Sequence, residues 1–165
     1  MSSEIINDSR NQWLSLDDFE LMKHCRFDEY QASGPGGQKR NRKYSAVRLT
    51  HLPTGIEVKS AESRSQQQNK SSALRKLRQT IAVEVRSDKS PEVECLEISQ
   101  KNKRYPFFLA KLFDELYLCE FRISDVALKL GESTGKLVKL VARDSHVWQI
   151  INNERKKLGL NPLRK

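Results

Sequence analysis

The sequence predicts an α+β protein built from two parts. Residues 44–59 alternate apolar and polar side chains, which is typical of half-buried strands. Residues 73–85 repeat apolar side chains at helical spacing, and residues 104–165 contain several shorter helical stretches. We therefore predict a small domain in which a few-stranded sheet packs on a long helix and a glycine-rich loop projects. A small all-α unit with a helix-turn-helix-like middle follows it.

The composition is that of a small protein that is not embedded in a membrane. The chain has 165 residues, 37% of them hydrophobic, which is enough for a modest core. No apolar run approaches the roughly 20 residues of a membrane span, and the polar N-terminus resembles no signal peptide. Cys25, Cys95 and Cys119 are far apart and form no Cys-x-x-Cys pair. We expect a cytoplasmic monomer with reduced thiols, no metal and no cofactor.

The net charge of +9 is unevenly distributed. Residues 1–30 hold seven acidic and three basic side chains, a net charge of −4. Residues 39–86 hold twelve basic and three acidic side chains, a net charge of +9, and residues 87–165 carry +4. Such a basic segment favours a phosphate backbone as the partner, although a solvated charged face is the commoner explanation of a charge run.

The first part of the chain is divided as follows. Residues 1–12 show no periodicity and are expected to be flexible, and residues 13–87 form the small domain. Ser15, with Asp18 three residues later, predicts the start of a short helix that reaches Cys25. Residues 26–32 then extend as a strand into the glycine-rich loop.

The sheet continues after this loop. A second strand begins near Tyr44, the segment Leu52–Gly55 has the residues of a turn, and residues 56–59 form the return strand. Residues 63–68 lead into the long helix. The cations of this helix are predicted to lie on its solvent face: Lys70, Arg75, Lys76 and Arg78.

The second part begins with a linker over residues 88–103, which contains Pro91 and several acids. The helical unit covers residues 104–165 and starts with a helix near Pro106. Residues 122–142 are predicted to form helix, turn and helix, either as a helix-turn-helix or only as a packing hairpin. A last helix runs from Ser145 to Leu158 and is capped by Gly159.

The loop of residues 33–41 reads Ser-Gly-Pro-Gly-Gly-Gln-Lys-Arg-Asn. Gly36 and Gly37 allow backbone angles closed to other residues, so the main chain can approach a ligand closely. Gln38 offers an amide side chain and a backbone N–H at the tip. Four cations follow at once: Lys39, Arg40, Arg42 and Lys43. The pattern indicates a tip that reaches a reactive bond inside a polyanion, whereas the triplet alone is more often a surface turn.

The residues after the triplet carry a resemblance to a known family. The matching series is Ser33 to Gln38, Asn41, Ser45 to Arg48, Thr50 to Ile56, Arg64 to Gln66, Asn69, Lys70, Ala73 and Leu74. In this order the series resembles the catalytic domain of the class I peptide-chain release factors. It is most similar to the short members without a stop-codon domain, which include the ribosome-rescue hydrolases. The resemblance covers about the first half of the chain and leaves the C-terminal unit outside.

The resemblance implies hydrolysis of the peptidyl-tRNA ester in the peptidyl transferase centre of the ribosome. Gly36, Gly37 and Gln38 are then the catalytic residues, with the Gln38 N–H stabilising the developing oxyanion. The expected partners are rRNA and P-site peptidyl-tRNA, contacted in the first domain by Lys39, Arg40, Asn41, Arg42, Lys43, Arg48, Arg64, Gln66, Asn69 and Lys70. Capping or simple exposure is the alternative for Arg64, Gln66 and Asn69.

The sequence also departs from the family pattern. Lys39-Arg40 and Arg42-Lys43 stand where the family commonly has His-Val and Lys-Thr, which adds cations beside the tip. The loop contains no carboxylate or histidine that could serve as a general base. A triad of Ser33, His51 and Asp28 matches no nucleophile elbow. Only 35 residues precede Gly36 and none resembles the tripeptide reader, so we expect codon-independent rescue.

The C-terminal unit has two interpretations. It docks near the decoding region, on rRNA, tRNA or mRNA, or it is a solubilising appendage. Docking would use its cations: Lys136, Lys139, Arg155, Lys156 and Lys157. For the whole chain, the alternatives to ribosomal ester hydrolysis are a non-catalytic nucleic-acid binder and a hydrolase of free peptidyl-tRNA.

Overall fold

The computed structural model describes residues 4–30 and 45–164, with side chains from Arg10 onward. The chain divides into two compact units, Met1–Ser87 and Asp88–Lys165, which we call unit 1 and unit 2. Unit 1 holds a sheet and helices, whereas the described part of unit 2 contains helices only. The predicted α+β class is confirmed.

Unit 1 contains a three-stranded antiparallel sheet in the order β1-β2-β3. The strands are β1 (Cys25–Tyr30), β2 (Ala46–His51) and β3 (Glu57–Ser60). The turn between β2 and β3 ends at Gly55, whose φ of +72° is strained for a residue with a side chain. The predicted strands and turn are therefore confirmed within the described residues.

The core of unit 1 lies between this sheet and one long helix. Helix α3 (Gln66–Glu84) begins after Ser65, whose hydroxyl caps the Gln68 N–H. The apolar positions that predicted the helix are buried, and they pack with alternate residues of β2 and β3: Ala73, Leu74, Leu77 and Ile81 with Val47, Leu49 and Val58. The apolar side chains of the alternating strands and of the periodic helix therefore pack together in one layer.

The structure shows a regular element at the N-terminus that the sequence does not predict. Residues 1–12 show no periodicity, but helix α1 runs over Glu4–Ser15. It packs on α3, and buried Arg10 donates a 3.2 Å hydrogen bond to the Val85 carbonyl. This helix is stabilised by its tertiary contacts with α3. Such contacts produce no apolar periodicity that the sequence could show.

The second helix is shorter than predicted. Helix α2 covers Asp18–Lys23 and is capped by Asp17 rather than by Ser15. The Asp17 carboxylate accepts a 2.8 Å hydrogen bond from the Glu20 N–H. Cys25 already belongs to β1, so the Leu21–Cys25 spacing that extended the predicted helix is a coincidence.

Arg78 does not point freely to solvent as predicted. Its side chain is only 14% exposed and bonds the segment that joins α1 to α2. One guanidinium nitrogen lies 2.7 Å from Asp18 Oδ1, and another donates to the Leu16 carbonyl at 2.8 Å. This arginine therefore fastens the N-terminal helices to α3.

Unit 2 contains four helices: α4 (Tyr105–Leu118), α5 (Ile123–Lys129), α6 (Thr134–Val141) and α7 (Ser145–Lys157). Pro106 lies in the first turn of α4, as predicted, and Gly159 follows α7 with a φ of +71°. The short α5–α6 connection contains Gly131 at a φ of +69°. None of the described helices is long and apolar enough to cross a membrane.

The core of unit 2 is formed by buried side chains from all four helices. Its fully buried side chains are Leu109, Leu112, Phe113, Leu116, Val126, Leu137 and Ile151. Between α4 and α5 the chain turns through Glu120 and Phe121, whose φ values are +49° and +57°. The residues before α4, 88–104, contain neither helix nor strand, all of them being described.

Replacing Arg78 by alanine should destabilise unit 1 by about 1.5–3 kcal/mol, because a charged donor is lost and the Leu16 carbonyl loses its partner. Arg75→Ala, on the exposed side of the same helix, should change the free energy of unfolding by less than about 0.5 kcal/mol. The chain has two tryptophans, so a Trp148→Phe background leaves Trp13 as the fluorescent reporter of unit 1. Equal midpoints for both variants in denaturant titrations would contradict the assigned role.

Candidate functional site

The glycine-rich loop joins β1 to β2. Tyr30 and Ala46 are paired at the end of the sheet, so the two ends of the loop segment lie side by side there. The predicted catalytic residues Gly36, Gly37 and Gln38 lie outside the described residues. The same holds for five predicted RNA contacts: Lys39, Arg40, Asn41, Arg42 and Lys43. The structure therefore describes the base from which the loop leaves and to which it returns.

Asn69 of α3 is the centre of this base. Its side chain is fully buried, and its amide nitrogen donates to the Ser45 carbonyl at 2.7 Å and to the Ser63 carbonyl at 2.8 Å. Its amide oxygen accepts a 2.9 Å hydrogen bond from the Ser63 N–H. Because both N–H donors are used and the side chain is enclosed, the prediction of Asn69 as an RNA contact is wrong.

Arg48 lies on β2 beside the same end of the sheet. Its guanidinium carbon is 5.4 Å from the centre of the Tyr30 ring, within cation–π range. Arg48 Nε is 3.9 Å from Glu57 Oε1 and has no hydrogen-bond partner among the described residues. The side chain remains 35% exposed, so part of it is accessible to a phosphate.

The start of α3 adds three predicted contacts to the base. Arg64 is exposed, and Gln66 and Lys70 are half-buried. Lys70 Nζ lies 5.6 Å from the centre of the Phe27 ring on β1. Since Asn69 ties this helix start to Ser45, the structure places Arg64, Gln66 and Lys70 at the end of unit 1 where the chain returns from the loop.

Two aromatic residues of β1 were missed as part of this site. Phe27 and Tyr30 each lie under a cation that the sequence analysis did single out, Lys70 and Arg48 respectively. Phe27 and Tyr30 are three residues apart on β1 and therefore face opposite sides of the sheet, so the two cation–ring pairs lie on different faces. The sequence signal for both pairs is the presence of two aromatic residues in the short strand that leads into the loop.

His51 plays a structural part in the turn after β2. It is fully buried, its Nδ1 lies 2.8 Å from Thr54 Oγ1, and the Trp13 ring meets it edge-on at 4.7 Å. Burial, with a smaller effect of nearby His24, lowers the pKa of His51 to about 4. His51 pairs with Cys25, and Asp28 pairs with Arg48, so His51 and Asp28 face opposite sides of the sheet. These two residues therefore form no dyad.

The predicted contacts of unit 2 divide into exposed and engaged cations. Lys139 and Lys156 are exposed, with no ion-pair partner in the described part of the chain. Lys136 lies 2.8 Å from Glu132 and 3.6 Å from Glu97, and Lys157 lies 2.6 Å from Glu154. The carboxylates raise the pKa of both lysines, whose ammonium groups stay exposed.

Arg155 differs from its neighbours on α7. Its Nε donates to the Asn161 carbonyl at 2.9 Å, and another guanidinium nitrogen donates to the Phe121 carbonyl. Burial lowers the pKa of this side chain. The two bonds hold the segment after α7 and the strained turn at Phe121. Arg155 therefore binds backbone segments of its own unit, and its role as an RNA contact stays a prediction.

Comparison with known proteins identifies similarity to release factors. A family model described as the RF-1 domain matches residues 18–107. Peptide chain release factor 1 of Anaplasma phagocytophilum is 35% identical over 131 residues, covering 74% of this chain and 36% of that protein. The corresponding factor of Wolbachia pipientis is 36% identical over 137 residues, covering 77% and 38%. Peptide chain release factor 2 of Kineococcus radiotolerans is 49% identical over 72 residues, covering 44% and 20%.

These alignments correct the extent of the resemblance. The chain matches only about a third or less of the length of each of these relatives. Within this chain, however, the match to the Anaplasma factor covers 74%, which is more than unit 1 alone supplies. The expectation that similarity stops near the middle is therefore too narrow, because motif residues are dense only around the loop.

Replacing Asn69 by alanine should destabilise unit 1 by at least about 2 kcal/mol, because buried backbone groups of Ser45 and Ser63 lose their partners. Gln67→Ala on the exposed side of α3 is the matched control and should cost less than about 0.5 kcal/mol. Denaturant titrations followed by Trp13 fluorescence measure both. A cost for Asn69→Ala no larger than that of the control would refute the structural role of this amide.

The low pKa of His51 predicts acid sensitivity of unit 1. The unfolded chain takes up the proton near pH 6.5 and the folded chain only near pH 4. The free energy of unfolding should therefore fall as the pH drops, by about 2 kcal/mol between pH 7.5 and 5. His51→Gln keeps a polar side chain beside Thr54 and should remove this part of the pH dependence. An identical pH dependence in wild type and variant would show that His51 does not cause it.

Proposed function

The chain belongs to the RF-1 domain family, the family of the class I peptide chain release factors, and on that premise we propose that it hydrolyses the peptidyl-tRNA ester on the ribosome. The observation that carries this proposal is the ordered series of family residues from Ser33 to Leu74, which falls inside the matched range 18–107. The described base supports it, because the loop is anchored on a paired sheet end and a buried amide.

The proposed chemistry is attack of water on the ester carbonyl carbon, with negative charge developing on the carbonyl oxygen. The backbone N–H of Gln38 stabilises this charge, and its side chain shapes the water pocket. Gly36 and Gly37 let the tip enter a crowded RNA pocket. His51 is buried and has its pKa lowered to about 4, so it does not supply a base to the loop. The protein then contributes by positioning the reacting groups and by stabilising the developing charge.

The proposed partner is the ribosome, through rRNA and the P-site peptidyl-tRNA. Arg48, Arg64 and Lys70 support this partner because each leaves a cation at least partly exposed at the loop base. Residues 39–86 carry a net charge of +9, and cations close to a loop are suited to hold it against phosphates. Binding to ribosomes places the site of action in the cytoplasm.

We further propose that release does not depend on a stop codon and serves to rescue stalled ribosomes. Residues 13–87 act as the catalytic domain, and the helical unit of residues 104–165 docks near the decoding region. Exposed Lys139 and Lys156 are available for that contact. Ribosome complexes with a stop codon or a sense codon in the A site test codon independence separately from hydrolysis.

We expect the protein to release labelled nascent peptide from purified ribosomes whose mRNA is truncated at the P site. Gly37→Ala should lower the rate about 100-fold or more, because a displaced tip no longer presents its N–H to the carbonyl. The matched control is Gly135→Ala in α6, where an added Cβ meets no atom within 4 Å. The control should release peptide at the wild-type rate.

The comparison complexes carry a stop or a sense codon in the A site, and free peptidyl-tRNA forms a further arm. Strong release only at stop codons would contradict codon independence but leave the hydrolysis intact. Cleavage of free peptidyl-tRNA at the same rate would indicate a ribosome-independent hydrolase. Ribosome binding without release in any arm would contradict the enzyme proposal and favour a non-catalytic RNA-binding factor.

A further inference from the structure

Unit 2 contains a cleft that no predicted site uses. It encloses about 520 Å³ between residues 96–101, the first turns of α4 and the end of α6. Its floor is apolar, with the half-buried Leu96 and Ile98 over the almost fully buried Tyr105, Phe108 and Leu140. Its rim is polar and includes Gln100, Lys101 and Arg143. The volume lies in the range of protein sites for small organic ligands.

Two hydrogen bonds fasten the walls of this cleft. The Gln100 side chain donates to the Arg143 carbonyl at 3.0 Å, which holds the irregular segment against the end of α6. The Tyr105 hydroxyl donates to Asp144 Oδ2 at 2.8 Å, which holds the start of α4 against the start of α7. Asp144 also caps α7 through the N–H groups of His146 and Val147. The cleft is therefore a preformed feature of the unit.

The rim of the cleft is cationic. Lys101 and Arg143 are exposed and have no ion-pair partner within the described residues. Glu97, the acidic side chain of the lining, lies 3.6 Å from Lys136, which itself lies 2.8 Å from Glu132, so the two cations of the lining outnumber its one carboxylate. A ligand that complements this site has an anion at the rim and an apolar, flat group on the floor, and a nucleotide has both.

We propose that this cleft binds an unpaired nucleotide of RNA, with the rim cations on its phosphate and the apolar floor against its base. The choice of RNA as the ligand of this cleft rests on the proposed function. An unpaired base is favoured over a duplex, because the apolar floor needs a base that has left its stack. Lys139 and Arg143 are four residues apart, so they share one side of α6 and its end. They continue the cationic rim along the path of a strand.

The test is a titration of the full-length protein with 5′-phosphorylated diuridylate, followed by the amide signals in heteronuclear NMR spectra. We expect the largest shifts in residues 96–101 and 140–143. The double variant Lys101→Gln with Arg143→Gln should bind at least 10-fold more weakly. The matched control is Lys103→Gln with Arg164→Gln, which removes the same charge from exposed positions outside the cleft lining. It should bind within twofold of wild type.

Three results would overturn the cleft assignment. Shifts confined to unit 1 would place the binding site there, and equal weakening in both double variants would indicate unspecific charge attraction. Stronger shifts along α6 with an RNA duplex than with the dinucleotide would indicate duplex docking. All four substituted residues are exposed, so both double variants should keep the wild-type fold, as their spectra would show. Because no ribosome is present, this outcome is independent of whether the protein releases peptide.

Discussion

The buried amide of Asn69 is the interaction on which the base of the candidate site depends. It fixes Ser45, where the chain returns from the loop, to Ser63 before α3. The same helix provides much of the apolar core, so the loop base is coupled to the most stable part of unit 1. A tip that must present one N–H to a reacting carbonyl needs such an anchor, because small displacements of a positioned group carry large rate costs.

At the end of the sheet where the loop begins and ends, Arg48 and Lys70 each lie near an aromatic ring of β1. Arg48 also lies 3.9 Å from the Glu57 carboxylate, and Lys70 has no ion-pair partner within the described residues. A cation held over a ring loses little hydration on its other side and can still meet a phosphate. In unit 2 two of the four lysines on α6 and α7, Lys136 and Lys157, form ion pairs with glutamates of the same region, whereas Lys139 and Lys156 have no such partner within the described residues. The two units therefore present different electrostatic surfaces.

The sequence predicted the elements whose burial follows a period. Strands β2 and β3 and helix α3 were found because Leu49, Leu77 and Ile81 repeat at two-residue or helical spacing. Helix α1 was missed because its place on α3 depends on Arg10, a residue that periodicity counts as exposed. The location of the candidate loop followed from its motif. The bonding of Asn69, however, depends on two segments that only the fold brings together, and no local pattern contains it.

Basic residues in this chain also serve the fold, which a charge count cannot reveal. Arg10, Arg78 and Arg155 all donate to backbone carbonyls where the chain ends a helix or turns. Helix ends and turns leave carbonyls without regular partners, and a long guanidinium can satisfy one while its stem covers apolar surface. Part of the excess positive charge is therefore structural. The proposed RNA contacts at the loop base and around the rim of the cleft in unit 2 are cations without such bonds among the described residues.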